Sequence, residues 1–175
     1  MLHTSLLPLS SASVKLRALS ERDADRYAAG SADPLVREFG HLPEPEYTPE
    51  SVQTMIREQV EPALREGSLA VLAITDNADE FSGSLVLFNV TPESAEIGFW
   101  VHPDRRGTGV TAEAIELAAS LARGSGMRHL LASTLPENAG SQRVLLRAGF
   151  SETGRALDTT PAGETVETLQ FAREL

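Results

Sequence analysis

The 175-residue sequence contains no cysteine, and this absence removes several classes of site at once. Disulfide bonds, thiolate metal sites and a cysteine nucleophile are excluded, and the absence fits a cytoplasmic protein. The histidines do not show the spacing of metal ligands, so we expect no metal site. The four of them are His3, His41, His102 and His129.

Long apolar runs and an excess of basic residues are also missing. No apolar stretch reaches the roughly 18 residues that a membrane helix needs, so we expect no membrane span. The first 13 residues lack a basic region and contain Pro8, which favours a short tail or first strand over a signal peptide. The formal net charge of -10 disfavours binding to nucleic acid or to an anionic membrane. With no repeat or linker, we expect one domain over residues 1–175, as a monomer or homodimer.

The most informative segment runs from Glu93 to Gly124 and predicts a strand, a glycine turn and a helix. Apolar and polar residues alternate from Ser94 to Val101, which is typical of a strand. From Val110 onwards apolar residues recur at helical spacing, and we expect Gly124 to end this helix. The intervening turn, HPDRRGTG, would direct several backbone N–H groups at one point. That point lies at the start of the helix, the positive end of its dipole, where phosphate binds.

Four interpretations of this turn compete, and the simplest is a plain tight connection without a ligand. An ATP loop needs a lysine directly after the glycines, and none is present. Gly107, Gly109 and Ala112 match the dinucleotide fingerprint, but that fingerprint needs an acid about 20 residues further on. The next predicted strand, Met127 to Thr134, has no acid, which disfavours a nicotinamide-dependent oxidoreductase. The fourth interpretation is a coenzyme A pyrophosphate loop.

Two signatures support the coenzyme A loop. The run from Arg106 to Thr111 resembles the phosphate loop of the GNAT superfamily of N-acetyltransferases, Arg/Gln-x-x-Gly-x-Gly/Ala, with Thr111 at its last position. The run ENAGSQRVLLRAGF resembles the family's second signature, Asn-x-x-Ser-x-x-Val followed by Gly-Phe. The sequence is most similar to the RimJ/RimL-type subgroup, which acetylates N-terminal amines of ribosomal proteins. This resemblance implies an acetyl-CoA-dependent N-acetyltransferase that modifies a primary amine, either a protein N-terminus or a small-molecule amine.

The resemblance also implies which residues hold acetyl-CoA. Backbone groups of the splayed strand would pair with the pantetheine arm, and the glycine turn with its arginines would hold the phosphates. The expected cofactor-binding residues are Phe99, Trp100, Val101, Arg105, Arg106, Gly107, Thr108, Gly109, Val110, Thr111, Asn138 and Ser141.

Two residues are the catalytic candidates. Glu96 lies on the same strand face as Gly98 and Trp100, and the run AEIGFW resembles a family strand whose glutamate is the general base. A solvent-facing strand glutamate is the alternative. Many relatives carry a tyrosine acid where Leu145 stands, so we expect Ser141 to bond the leaving sulfur or, alternatively, to cap its helix.

The remaining pattern predicts an α/β domain with a mixed, mostly antiparallel sheet. One parallel pair, 94–101 with 127–134, would be joined by the central helix and, as in the family, splayed around the cofactor. Ser20 and Thr48 are predicted N-caps, Val36 to Tyr47 a loop, and Pro62 a kink or break in the second helix. A final hairpin is expected around Pro161-Ala162-Gly163.

The predicted loop before the second helix carries three acidic residues, Glu38, Glu44 and Glu46. This loop resembles the family segment that forms one wall of the acceptor site. Acidic residues on that wall would favour a cationic acceptor. A solvated loop is the alternative interpretation. At the level of function, a non-catalytic acyl-CoA-binding module remains open, since it would keep the glycine loop without needing Glu96 or Ser141.

Overall fold

The computed structural model describes residues 1–160 and 163–175 and is centred on one sheet. The eight strands are β1 (Leu9–Ser10), β2 (Lys15–Ala18), β3 (Ala70–Thr75), β4 (Phe81–Phe88), β5 (Ser94–Val101), β6 (His129–Thr134), β7 (Ser151–Thr159) and β8 (Thr165–Glu174). Their order across the sheet is β1-β2-β3-β4-β5-β6-β8-β7. Among these strands β5 and β6 pair in parallel, and the other neighbours pair antiparallel. The predicted mixed, mostly antiparallel α/β fold is therefore confirmed.

The helices cover both faces of the sheet. They are α1 (Ala24–Ser31), α2 (Pro34–Phe39), α3 (Pro49–Met55), α4 (Glu61–Glu66), α5 (Val110–Gly124) and α6 (Ala139–Arg147). Side chains from α5 and α6 share one apolar cluster with the larger part of the sheet. Side chains from α1, α2 and α3 form a second cluster on the opposite face around Trp100. No described helix is long and apolar enough to cross a membrane.

The central helix α5 forms as its sequence pattern predicts, because its apolar stripe meets the sheet. Ala114, Ala118 and Leu121 are completely buried against the strands. The helix ends at Gly124, as expected. The glycine in the left-handed conformation is Gly126, with φ of 85°. Ser125 stands between them and closes the helix by donating its N–H to the last turn.

The segment from Val36 to Tyr47, expected as a loop, is partly helical. Helix α2 begins because Asp33 accepts hydrogen bonds from the backbone N–H groups of the first turn and Pro34 occupies its first position. The helix is held in place by Val36, which is buried. The two prolines that suggested a loop lie beyond Phe39, in the part that does remain irregular.

The predicted caps and the final hairpin are present, whereas β6 begins at His129 instead of Met127 and the helical run continues through Pro62. Ser20 forms a capping box with Asp23, and Thr48 forms one with Ser51. Pro62 follows a π-helical turn over Ile56–Val60, because a proline cannot donate the N–H that a continuous helix needs. The final hairpin forms from β7 and β8, while the turn residues Pro161 and Ala162 predicted between them lie outside the described residues.

Candidate active site

A gap opens in the middle of the sheet. Strands β5 and β6 pair at only three positions, Ser94 with His129, Ala95 with Leu130 and Glu96 with Leu131. Beyond Glu96, β5 continues along β4 and β6 continues along β8, so the two strands separate. The gap ends where β5 leads into α5 and β6 leads into α6. The parallel pair is therefore splayed, as the family resemblance implies.

Backbone groups of β5 line this gap. The N–H of His102 donates to the carbonyl oxygen of Ser82 at 2.9 Å, and bonding partners alternate along an antiparallel pair. Trp100 consequently bonds to β4, while the N–H and C=O groups of Phe99 and Val101 point towards the gap. Two of the three predicted strand contacts are thus free to pair with an extended ligand arm.

Trp100 is placed differently from its two neighbours. Its indole ring is buried and packs edge-on against Tyr27, with ring centroids 5.1 Å apart. A Cβ added to Gly30 would lie 2.6 Å from the same ring. Trp100 therefore anchors α1 to the sheet, and its side chain does not face the gap.

The glycine turn forms a cradle of backbone donors directly before α5. Gly107 and Gly109 have φ of 75° and 87°, a region that other residues rarely adopt. A Cβ at either position would meet no protein atom within 4 Å, so the space above them is open. Within the described part of the chain, the N–H groups from Gly107 to Thr111, including those of Thr108 and Val110, donate to no protein acceptor. This arrangement suits an anion.

The two loop arginines are held by acidic residues on opposite sides. Arg105 donates to Glu80 at 2.9 Å and lies 3.3 Å from Asp76, in the turn between β3 and β4. Arg106 forms an ion pair with Asp33 at the start of α2. The hydrogen bond from Arg106 holds the pKa of the Asp33 carboxyl below its usual value. Arg106 is the arginine adjoining the open cradle, whereas Arg105 is turned back towards the β3–β4 turn.

The rest of the turn is fixed as well. Asp104 accepts from Arg26 of α1 at 3.0 Å and contacts the Nδ1 atom of His102 at 2.7 Å. The hydroxyl of Thr108 donates to the carbonyl oxygen of Arg105 at 2.7 Å. Three consecutive residues, 104 to 106, thus contact three different parts of the fold: α1, the β3–β4 turn and the start of α2.

Glu96 lies half-buried at the point where the gap begins. One carboxylate oxygen accepts from the Nδ2 of Asn89 at 2.9 Å, and the other accepts from the hydroxyl of Ser133 at 3.1 Å. Both oxygens keep further lone pairs, so the carboxylate is oriented without being fully occupied. Its partners come from the two sides of the sheet that the gap divides.

Asn138 and Ser141 lie on the other side of the gap, at the start of α6. Asn138 is the N-cap, as predicted, and accepts from the backbone N–H of Ser141 at 3.1 Å. The Nδ2 of Asn138 donates to the Ser141 hydroxyl oxygen at 2.9 Å. Because that oxygen already accepts a bond, the hydroxyl proton is available for another acceptor. Leu145 is buried in the core, and its side chain has no proton to donate.

Sequence reasoning missed Asn89 and Ser133. Asn89 has φ of 48°, a conformation that asparagine tolerates, and the polar run after it was the available signal for a turn. Ser133 could only be found from the register that sets β6 beside β5. Next to them a shallow depression of about 530 Å³ is lined by residues 91–94, His129 and Leu131. Leu131 is 40% exposed although β6 is an interior strand, so this face of the sheet lacks a cover.

Comparison with known proteins agrees with the splayed sheet and its cradle. The family model described as the acetyltransferase (GNAT) domain matches residues 13–151. The chain therefore belongs to the GNAT acetyltransferase family.

Individual relatives give the same picture. A probable N-acetyltransferase, YjcK of Bacillus subtilis (strain 168), is 30% identical over 114 residues, which cover 63% of each protein. The structure of Mycobacterium smegmatis RimJ in complex with CoA-disulfide has a TM-score of 0.82 and 25% identity, over 92% of this chain and 81% of RimJ. A ribosomal-protein-S5-alanine acetyltransferase from Vibrio fischeri has a TM-score of 0.80 and 16% identity, over 96% of both chains, and shows the shared fold.

Proposed function

We propose that this protein is an acetyl-CoA-dependent N-acetyltransferase that acts on a primary amine. The observation that carries the proposal is the meeting of two features at one gap. An oriented carboxylate, Glu96, stands where the gap opens, and a cradle of unpaired N–H groups stands where β5 leads into α5. An acetyl-CoA molecule that spans the gap can thus have its phosphates bound by the cradle and its acetyl end close to Glu96.

The residues present fit coenzyme A. The open space over Gly107 and Gly109 admits a phosphate to the backbone, and the start of α5 favours negative charge. The gap-facing backbone groups of Phe99 and Val101 match an arm with alternating amides. RimJ of M. smegmatis, whose structure contains a CoA disulfide, supports the same choice of cofactor.

Acetyl-CoA supplies the activated acetyl group as a thioester, and this chain's residues manage protons and charge around it. Glu96 takes a proton from the acceptor's ammonium group, directly or through a water molecule, since only the neutral amine is nucleophilic. Asn89 and Ser133 keep that carboxylate aimed. An N–H of the Phe99–Val101 segment donates to the acetyl oxygen as negative charge develops there.

On the far side of the gap, Ser141 donates its hydroxyl proton towards the sulfur. The bond from Asn138 occupies one lone pair of the hydroxyl oxygen and leaves the proton free to donate. These two features favour an enzyme over a binding module, because a module has no need of an oriented carboxylate and an oriented hydroxyl.

The acceptor we propose is a cationic primary amine, with a protein N-terminus as the first choice. The name of one structural neighbour, a ribosomal-protein-S5-alanine acetyltransferase, supports a protein acceptor. Glu38, Glu44 and Glu46 are exposed on α2 and the segment after it. The depression beside Glu96 can contact the part of the acceptor that lies beyond its amine.

The test combines cofactor binding with turnover on a panel of amines, which includes short peptides with free N-termini. We expect calorimetry to detect acetyl-CoA and not NAD(H) or NADP(H), and free-thiol release to require an amine. Glu96→Gln should lower kcat about 10²- to 10⁴-fold, with little change in acetyl-CoA affinity. The matched control is Glu152→Gln, an exposed strand carboxylate on β7 that lies outside the gap and its depression. Binding without turnover on any amine would support the non-catalytic module instead, and equal activity of both variants would remove Glu96 as the base.

A further inference from the structure

Asp33 makes two kinds of contact at once. Its Oδ1 atom accepts from the backbone N–H groups of Leu35 at 3.1 Å and Val36 at 3.2 Å, which caps α2. The same carboxylate pairs with both terminal nitrogens of Arg106, through one close contact and one of 3.5 Å. Its side chain is only 14% exposed, so the carboxylate is enclosed between the helix start and the guanidinium group. One charge therefore connects the α2 segment to the glycine turn.

The guanidinium fork of Arg106 is the group that a phosphate would use. Arg106 directly precedes Gly107, where the unpaired N–H cradle begins. Arginine binds phosphate best through two parallel N–H bonds from one edge of the fork. In this structure the terminal nitrogens already face Asp33. A phosphate in the cradle and the Asp33 carboxylate thus need the same donors, and they also repel each other.

We infer that Asp33 is an internal competitor for the cofactor's pyrophosphate at Arg106. In the free protein the carboxylate holds the guanidinium group, and cofactor binding transfers that group from Asp33 to the phosphates. Asp33 thereby weakens cofactor affinity while it keeps α2 capped. The inference rests on the placement of the phosphates proposed above, and it adds a residue that neither family signature contains.

The chain offers a substitution that separates the two roles of Asp33. Asparagine and serine cap helices about as well as aspartate, so Asp33→Asn and Asp33→Ser keep α2 and remove the competing charge. The lost pair is partly exposed, with Arg106 38% accessible, and pairs of this kind are worth a fraction of a kcal/mol to about 1 kcal/mol. We therefore expect CoA to bind about two- to fivefold more tightly to either variant.

The experiment is calorimetric titration of the purified full chain with CoA, 3′-dephospho-CoA and pantetheine. Tightening should be equal for CoA and 3′-dephospho-CoA, which share the pyrophosphate. It should be absent for pantetheine, which has no phosphate and whose weak binding is measured by competition. In turnover assays the KM for acetyl-CoA should fall while the KM for the amine stays constant, a split that a purely structural role would not produce. Melting temperatures of Asp33→Asn and Asp33→Ser check that α2 remains capped.

A double-mutant cycle with Arg106→Gln assigns the effect to the pair. Without the arginine there is nothing to compete for, so Asp33→Asn should then change CoA affinity by less than half of its effect in the wild-type background. If Asp33→Asn raised CoA affinity just as much in the Arg106→Gln background, Asp33 would act only through its charge at a distance, and the inference would be wrong. Unchanged or weaker CoA binding in both Asp33 variants would also overturn it. Failure of the proposed function gives a different result, because the wild-type protein would then bind no CoA at all.

Discussion

Replacing Gly109 with alanine should separate cofactor binding from folding, because the protein contains a matched control. Gly109 begins α5 with φ of 87°, and Gly126 follows the same helix with φ of 85°. A Cβ at either position would have no neighbour within 4 Å. The two substitutions therefore impose similar backbone strain and no clash, yet only Gly109 borders the cradle.

The size of both effects follows from this geometry. Holding an L-residue in the left-handed region costs about 1–2 kcal/mol. For a chain of this length that corresponds to a fall of roughly 2–8 °C in melting temperature, for Gly109→Ala and Gly126→Ala alike. At Gly109 the methyl group would also keep a phosphate away from the backbone N–H groups. A hydrogen bond to a charged group is worth about 1.5–3 kcal/mol, so losing one weakens CoA binding about 10- to 150-fold.

Thermal unfolding and calorimetric titration of both variants with CoA make the comparison. We expect equal destabilisation and a loss of affinity confined to Gly109→Ala. Wild-type affinity in Gly109→Ala would show that no phosphate approaches this backbone. An equal loss of affinity in Gly126→Ala would trace the effect to general destabilisation.

Three further predictions follow from other contacts. Ser141→Ala should lower kcat about 10- to 150-fold with little change in KM for acetyl-CoA, and full steady-state activity would contradict its role as proton donor. Asp79, whose pKa the hydrogen bond from Arg17 lowers to about 2, stabilises the fold above pH 4 and loses that contribution as pH falls towards 2. Urea unfolding of Asp79→Asn should show a deficit in the free energy of unfolding at pH 5–7 that disappears by about pH 2, whereas a deficit independent of pH would refute the assignment. Glu44→Gln with Glu46→Gln should flatten the fall of kcat/KM with salt for a cationic peptide, and a flat wild-type profile would remove the acidic-wall argument.

Periodicity and end signals in the sequence were enough to find the elements around the site. The alternation from Ser94 to Val101 and the apolar stripe of α5 each specify one buried face, so the strand and helix followed directly. Helix α2 was missed because only six residues form it, too few for a periodic pattern. The sequence signal for it was local, the N-cap residue Asp33. The end of α5 at Gly124 was predicted, but not that Gly126 adopts the positive φ, because propensity does not say which of two nearby glycines does so.

The motifs identified the side chains around the gap, but not what those side chains contact. The contacts of Glu96 with Asn89 and Ser133 depend on the register between strands, which local sequence does not encode. The pairing of Arg106 with Asp33 joins residues 73 positions apart, and only the packing of α1 and α2 on the sheet brings them together. Long-range contacts of this kind position the side chains of the site, and the motifs alone do not reveal them.

The sheet is close to being two sheets. Five strands lie on one side of the gap and three on the other. In the described part of the chain, the strands of the two groups pair at three positions, from Ser94 to Glu96, and the N–H of Arg128 adds a bond to the carbonyl oxygen of Glu93. Along the rest of the boundary, cohesion depends on α5 and the side chains packed beneath it. A ligand that fills the gap therefore restores hydrogen bonds that the fold itself leaves out. Such a ligand adds RT ln(1 + [L]/Kd) to the free energy of unfolding, so the stability of the sheet would rise with the concentration of the cofactor.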